Sequence, residues 1–154
     1  MTQYEYQKFT QKALMVVMLA QEEALRLGHK ECGAENILTA LSATGHSSEI
    51  LKSVGLSHKQ LRSTVRRLTS KASSTSLRDS ITRFFRKSGV VQLNEQSRQI
   101  FEFVSEFRKN EKSIDTHHLL LGIIELDGGI TKQIFSENKV DLESLKARLH
   151  AFNG

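Results

Sequence analysis

Four stretches of this chain recur in the same order roughly 84 residues further on, and no other feature constrains the fold as much. The first copy opens Phe9-Thr10-Gln11-Lys12-Ala13 and the second Leu93-Asn94-Glu95-Gln96-Ser97. Gly33-Ala34-Glu35-Asn36-Ile37-Leu38-Thr39-Ala40-Leu41 is echoed by Asp115-Thr116-His117-His118-Leu119-Leu120-Leu121-Gly122-Ile123, now 82 residues away because the intervening loop has lost two residues. The offset then returns to 84: Ile50-Leu51 pairs with Ile134-Phe135, Leu56-Ser57 with Val140-Asp141, Leu61 with Leu145 and Val65 with Leu149. Ordered matches of this kind mark a duplication, so the fold is expected to contain one structural unit twice.

Each unit reads as four helices. Phe9, Ala13, Val16, Val17, Ala20, Ala24 and Leu27 fall at spacings of three and four, one stripe of a helix ending near Gly28. A second helix is expected from about Ala34, burying Ile37, Leu38 and Leu41, and a third from Ser48 to Val54, stopped by Gly55. Ser57 with Gln60 forms a capping box that starts a fourth, burying Leu61, Val65 and Leu68. In the second copy Asn94 and Asp141 are good N-caps, and Ile100, Phe101, Val104 and Phe107 form the first stripe. The expectation is an all-α fold of about eight helices, with no alternating strand pattern and, without a single proline, turns built on Gly, Asn and Ser.

The expected organisation is repeat one over residues 1–68, a basic Ser-rich linker over 69–92, and repeat two over 93–154. The net charge of +5 divides as +3, +4 and −2 among these three stretches, so the excess sits in the linker. Neither repeat is a basic slab able to neutralise many phosphates. Within the linker Leu77, Ile81, Phe84 and Phe85 recur at helical spacing, with Arg78, Arg83, Arg86 and Lys87 supplying charge. That segment reads as a short amphipathic helix, packing between the repeats or serving an acidic partner or membrane surface. Binding of nucleic acid through Arg78–Lys87 is the alternative function, and the acidic second repeat argues against it.

A lone cysteine, Cys32, rules out an internal disulfide and suits a reducing compartment. The N-terminal residues lack signal-peptide character and no apolar run approaches the length of about 18 residues that spans a bilayer, so a soluble, unprocessed protein is expected. His29 and Cys32 make a weak metal pair, and adjacent His117 and His118 point about 100° apart on a helix, too divergent to share an ion. No metal or other cofactor is expected. Cys32 as a nucleophile would need His29 and Glu35 to activate it, and a satisfied loop thiol is the simpler reading. Glu102, Glu106 and Glu111 read as a solvated helix face.

The elements Phe9-Thr10 with Ala13, Leu19-Ala20-Gln21-Glu22-Glu23-Ala24-Leu25-Arg26-Leu27-Gly28-His29, and Gly33-Ala34-Glu35-Asn36-Ile37-Leu38 with Leu41 closely resemble the N-terminal domain of Clp-type AAA+ unfoldases, especially the ClpC branch. The family pattern is F-T-x-x-A, then L-A-x-x-E-A-x-x-L-G-H, then G-T-E-H-I-L-x-x-L. Copy two keeps Thr116, His118, Leu119, Leu120, Leu121 and Gly122 of the last element. The resemblance implies a pseudo-twofold domain of two four-helix Clp repeats, without catalytic activity, that receives adaptors and protein substrates for an ATP-driven unfoldase and its peptidase. It places the protein in a cytoplasm or a plastid stroma.

In ClpC-type members the glutamate of each G-T-E-H element helps hold a phosphorylated arginine. Carried over residue by residue, this gives Glu35 in the segment Gly33, Ala34, Glu35, Asn36, and the copy-two counterparts Thr116 and His117. The carboxylate survives only in Glu35, because His117 stands at the second glutamate position and Asp115 at the glycine position. A carboxylate pairs bidentately with guanidinium and a helix start offers free N–H groups to phosphate, so the chemistry is coherent. No phosphate loop of the G-x-x-x-x-G-K-[ST] type occurs. The chain is then a free-standing relative of such a domain or a piece of a full unfoldase, and the long linker leans toward the former.

Overall fold

The computed structural model describes residues 6–70, 91–126 and 128–152. Eight helices fill these residues: α1 (Gln11–Arg26), α2 (Ala34–Leu41), α3 (Gly45–Ser53), α4 (His58–Ser70), α5 (Glu95–Phe107), α6 (Thr116–Glu125), α7 (Gly129–Glu137) and α8 (Leu142–Phe152). No strand occurs among them, only two isolated bridges. The all-α double repeat expected from the sequence is what forms.

Helix ends follow local chemistry. Thr10 caps α1 by accepting from the amide of Ala13, and Asn94 caps α5 by accepting from Ser97. The predicted capping box of α4 is present, with Ser57 N donating to Gln60 Oε1 and Gln60 N donating to Ser57 Oγ. Asp141 Oδ1 accepts the amides of Glu143 and Ser144 at the start of α8. At the far end of α3, Gly55 takes φ +85°, Gly55 N donates to Lys52 O and Leu56 N to Leu51 O. The same terminator recurs 84 residues on at Lys139, with φ +52° and a bond from Val140 N to Phe135 O. The duplication thus extends to how helices stop. The third helix begins earlier than its expected Ser48, at Gly45, where glycine takes φ +59° and Ser47 Oγ donates to Thr44 O across the first turn.

The core is built around α2 and α6. Every residue of α2 is buried, as is α6 from Thr116 to Ile124, so these two helices are enclosed on all sides rather than amphipathic. Helix α2 packs on α1 and α4 of its own repeat and on α5, α6 and α7 of the other; α6 packs on α5 and α8 and reaches across to α1, α2 and α3. Gly122 permits close approach of α5 and α6, since a methyl there would come within 2.6 Å of a Val104 methyl.

The repeats are joined by a reciprocal exchange. Thr10 N donates to Ile114 O and Ile114 N to Lys8 O, while Asn94 N donates to Cys32 O and Cys32 N to Gln92 O. Each repeat lays the strip before its first helix against the strip before the other's second helix, as a self-complementary twofold contact does. Ser97 Oγ donates to Cys32 O across the same joint, and an Arg67–Glu137 ion pair ties α4 to α7. One stripe residue departs from expectation. Phe107 is 60% exposed, because α5 ends there, one turn short of α1, and carries the ring past its neighbours to stack on Phe103 at 5.7 Å.

Candidate functional site

The helix-start segments sit at the inter-repeat joint. In repeat one Asn36 Oδ1 accepts from Gly33 N at 2.9 Å, and in repeat two His118 Nδ1 accepts from Asp115 N at 2.9 Å. The third residue of each helix thus reaches back to the residue before it, the return half of a capping box. Asn36 is wholly buried and further contacts His29 Nδ1 at 3.4 Å.

Glu35 turns back over Gly33. A methyl placed on Gly33 would lie 2.4 Å from a Glu35 carboxylate oxygen, so glycine here makes room for a carboxylate folded against its own helix start. Negative charge there complements the positive end of the α2 dipole. Repeat two achieves the same by other means: the Asp115 carboxylate accepts from Thr116 N at 2.7 Å and from the Thr10 hydroxyl at 3.0 Å. Burial opposes ionisation of Asp115, but the Thr116 amide, the Thr10 hydroxyl and the nearby His117 and His46 outweigh it and hold its carboxyl below the usual range. Both helix starts therefore carry one carboxylate, from positions two residues apart.

Of the sequence-predicted site, Gly33, Ala34, Glu35 and Asn36 form one buried cluster, and Thr116 and His117 are buried at the equivalent start in repeat two. His117 packs on His118 (ring centroids 4.0 Å) and on Phe152 (5.0 Å), with His46 against Phe152 at 4.4 Å. No group of three or more metal-ligating side chains assembles among the described residues. Cys32 is buried, and desolvation, reinforced by the Glu35 carboxylate, pushes its thiol up to about 12. That shift opposes the thiolate a nucleophile requires. Glu102, Glu106 and Glu111 are exposed, as expected, the last two paired with Lys109 and Arg108.

A groove of about 200 Å³ opens between the repeats, lined by Tyr6, Val17 and Gln21 on one side and by Gln92, Leu93, Arg98 and Phe101 on the other. Beside it α1 leaves Leu14, Met15 and Met18 in solvent, the two methionines 51% and 63% exposed. Leu14 is three residues from Val17, and Met18 three from Gln21, so the apolar strip continues the groove wall around the helix.

The Clp repeat (R) N-terminal domain model matches residues 8–102. The chain belongs to this family. Among curated proteins, this Clp N-domain is 33% identical over 147 residues to the "ATP-dependent Clp protease ATP-binding subunit ClpA homolog" of Porphyra purpurea, covering 94% of the chain and 17% of that protein. It is 31% identical to "Chaperone protein ClpC1, chloroplastic" of Arabidopsis thaliana, covering 94% of the chain and 15% of the relative. The chain thus spans about one sixth of the length of the relatives it matches. Among solved structures, the N-terminal domain of the chaperone ClpD from Arabidopsis thaliana superposes with TM-score 0.75 at 18% identity, covering 97% of this chain and 99% of that one. The Hsp104 N-terminal domain from Candida albicans gives 0.72 at 19% identity, covering 96% and 92%.

The fold and its duplication are those of a Clp N-domain. The linker residues Arg78, Arg83, Phe84, Phe85, Arg86 and Lys87 lie outside the described residues. Leu14, Met15 and Met18 are what sequence reading missed; their signal was three apolar residues off the buried stripe of the same helix. No helix among the described residues is long and apolar enough to cross a membrane.

Proposed function

We propose that this Clp N-domain is a non-catalytic receptor that binds adaptors or unfolded substrate proteins on behalf of an AAA+ unfoldase and its peptidase. The observation that carries the reading is the exposed Leu14, Met15, Met18 strip running into the inter-repeat groove. Flexible, polarisable methionines in solvent suit segments of varied sequence, and a contiguous apolar patch on an otherwise well-buried domain favours a protein partner. The Clp ancestry of the matched relatives supports the placement in a Clp system.

Within that role Gly33, Ala34, Glu35 and Asn36 form the candidate recognition start of repeat one, with Thr116 and His117 its counterpart. A phosphoarginine guanidinium would meet the Glu35 carboxylate once this swings off Gly33, which needs only rotation of a long side chain.

The test is fluorescence anisotropy with a permanently unfolded protein, unmodified or arginine-phosphorylated. Met15→Lys/Met18→Lys, on a solvent face where substitutions shift stability by only about 0.5 kcal/mol, is expected to weaken both forms about tenfold. Glu35→Gln is expected to weaken only the phosphorylated form. Equal binding by parent and double variant would remove the apolar strip from the reading, and no binding by the parent would remove the receptor role.

A further inference from the structure

Repeat two differs from repeat one most sharply where α5 ends. Eighty-four residues after Ala24, a small side chain buried in the core, stands Arg108, whose side chain is only 13% exposed. The early stop of α5 at Phe107 leaves Arg108 as the capping residue, and its side chain lines a pocket together with the connection to α6. Its Nε is buried with no hydrogen-bond partner. The ion pair it makes is loose, 3.5 Å from Nη1 to a Glu111 oxygen whose side chain is 57% exposed. The Phe107 ring lies 5.5 Å from the guanidinium carbon, a partial substitute for water.

A guanidinium has five N–H donors, and burying it without matching acceptors is costly. In front of it opens a pocket of about 430 Å³ lined by Arg108, Asn110, Glu111, Lys112, Ser113 and His118. Lys112 adds a second cation, and Asn110 and Ser113 add neutral donors. Glu111 is the acidic group among the lining residues, and its exposure lets it swing aside. The neighbouring Lys109 is neutralised by Glu106 at 2.8 Å. His118 contributes a ring whose Nδ1 is committed to the Asp115 amide.

We propose that this pocket is an oxyanion site, in which a phosphate or carboxylate group displaces Glu111 from Arg108 and is held by the guanidinium with help from Lys112 and Ser113. Arg108 suits planar, two-pronged recognition of such oxygens. The site borders the second helix start through His118 but contains neither Glu35, Asp115 nor any residue of the apolar strip, so it stands whether or not the receptor role does. Its ligand is either a free inorganic ion or an acidic side chain on a partner polypeptide.

Titration with inorganic phosphate, followed by amide chemical shifts, tests it. Saturable shifts are expected at Arg108, Ser113 and His118, weakened about tenfold in Arg108→Met, which keeps the buried stem and removes the donors. Glu111→Gln, on an exposed side chain that leaves folding intact, is expected to tighten binding several-fold by removing the competing carboxylate. Repeating the titration with a Glu-rich peptide identifies the source: tighter binding than phosphate assigns the site to a partner's side chain, weaker binding to the free ion. The proposal falls if phosphate produces no saturable shift, if the shifts spread over surface lysines and survive Arg108→Met, or if Glu111→Gln leaves the affinity unchanged.

Discussion

Phe101→Ala is expected to destabilise this domain by about 3–5 kcal/mol, a large share of the roughly 5–15 kcal/mol available to a domain of this size. The ring is wholly buried on α5 and meets Phe9, from the strip before α1, at 5.9 Å between centroids. Removing it opens a cavity at the joint where the two repeats exchange their N-terminal strips, so lost burial and lost registration fall at one place. Chemical denaturation monitored by circular dichroism measures the effect. The matched control is Phe107→Ala, six residues on and assigned by its spacing to the same stripe. Its ring is mostly solvated, so its expected cost is about 1 kcal/mol or less, chiefly the lost stacking on Phe103. Equal costs for the two variants would contradict the early end of α5.

Native Cys32 is expected to alkylate about a thousandfold more slowly at pH 8 than an unhindered thiol, because a thiol at about 12 is ionised to only about one part in ten thousand there. Burial adds to this by requiring the joint to open before reagent can enter. The same shift has a consequence for stability. The folded thiol titrates above its unfolded value near 9.0, so in the interval between them the folded state holds the extra proton. The contribution is fully present below pH 9 and is lost as pH rises from 9 toward 12. Parent and Cys32→Ala unfolding midpoints, compared across pH 8 to 11, isolate it from lysine and tyrosine titration: the parent is expected to fall more steeply. Alkylation at the rate of a free thiol, or parallel pH profiles, would contradict the buried environment assigned to Cys32.

The difference between Phe101 and Phe107 shows where reading from sequence stops. Periodicity identifies a helix face but not where that helix stops, and α5 stops at Phe107, which leaves the ring beyond the packed part of the stripe. The site shows the same boundary. Asn36 looks like a departure within a recognition motif when read as a string, and His118 like a motif residue kept, yet in space both close a cap on the preceding amide. Asp115 looks like the loss of a glycine, yet its carboxylate occupies the role that Glu35 fills by folding back over Gly33. The methionine strip carried only a faint signal, because apolar residues off the main stripe become a surface only when no other helix covers them.

The eight helices of the described residues, their duplication and most of their caps were legible in the sequence alone, since these depend on contacts within a few residues of one another: Thr10, Ser57, Asn94 and Asp141 each satisfy amides two or three positions away. The reciprocal exchange of strips between repeats, the enclosure of α2 and α6 on every side, and the burial of Cys32 came from the tertiary structure. Those outcomes depend on groups some 60 to 105 positions apart, such as Cys32 with Asn94 and Thr10 with Asp115, whose meeting no local pattern encodes.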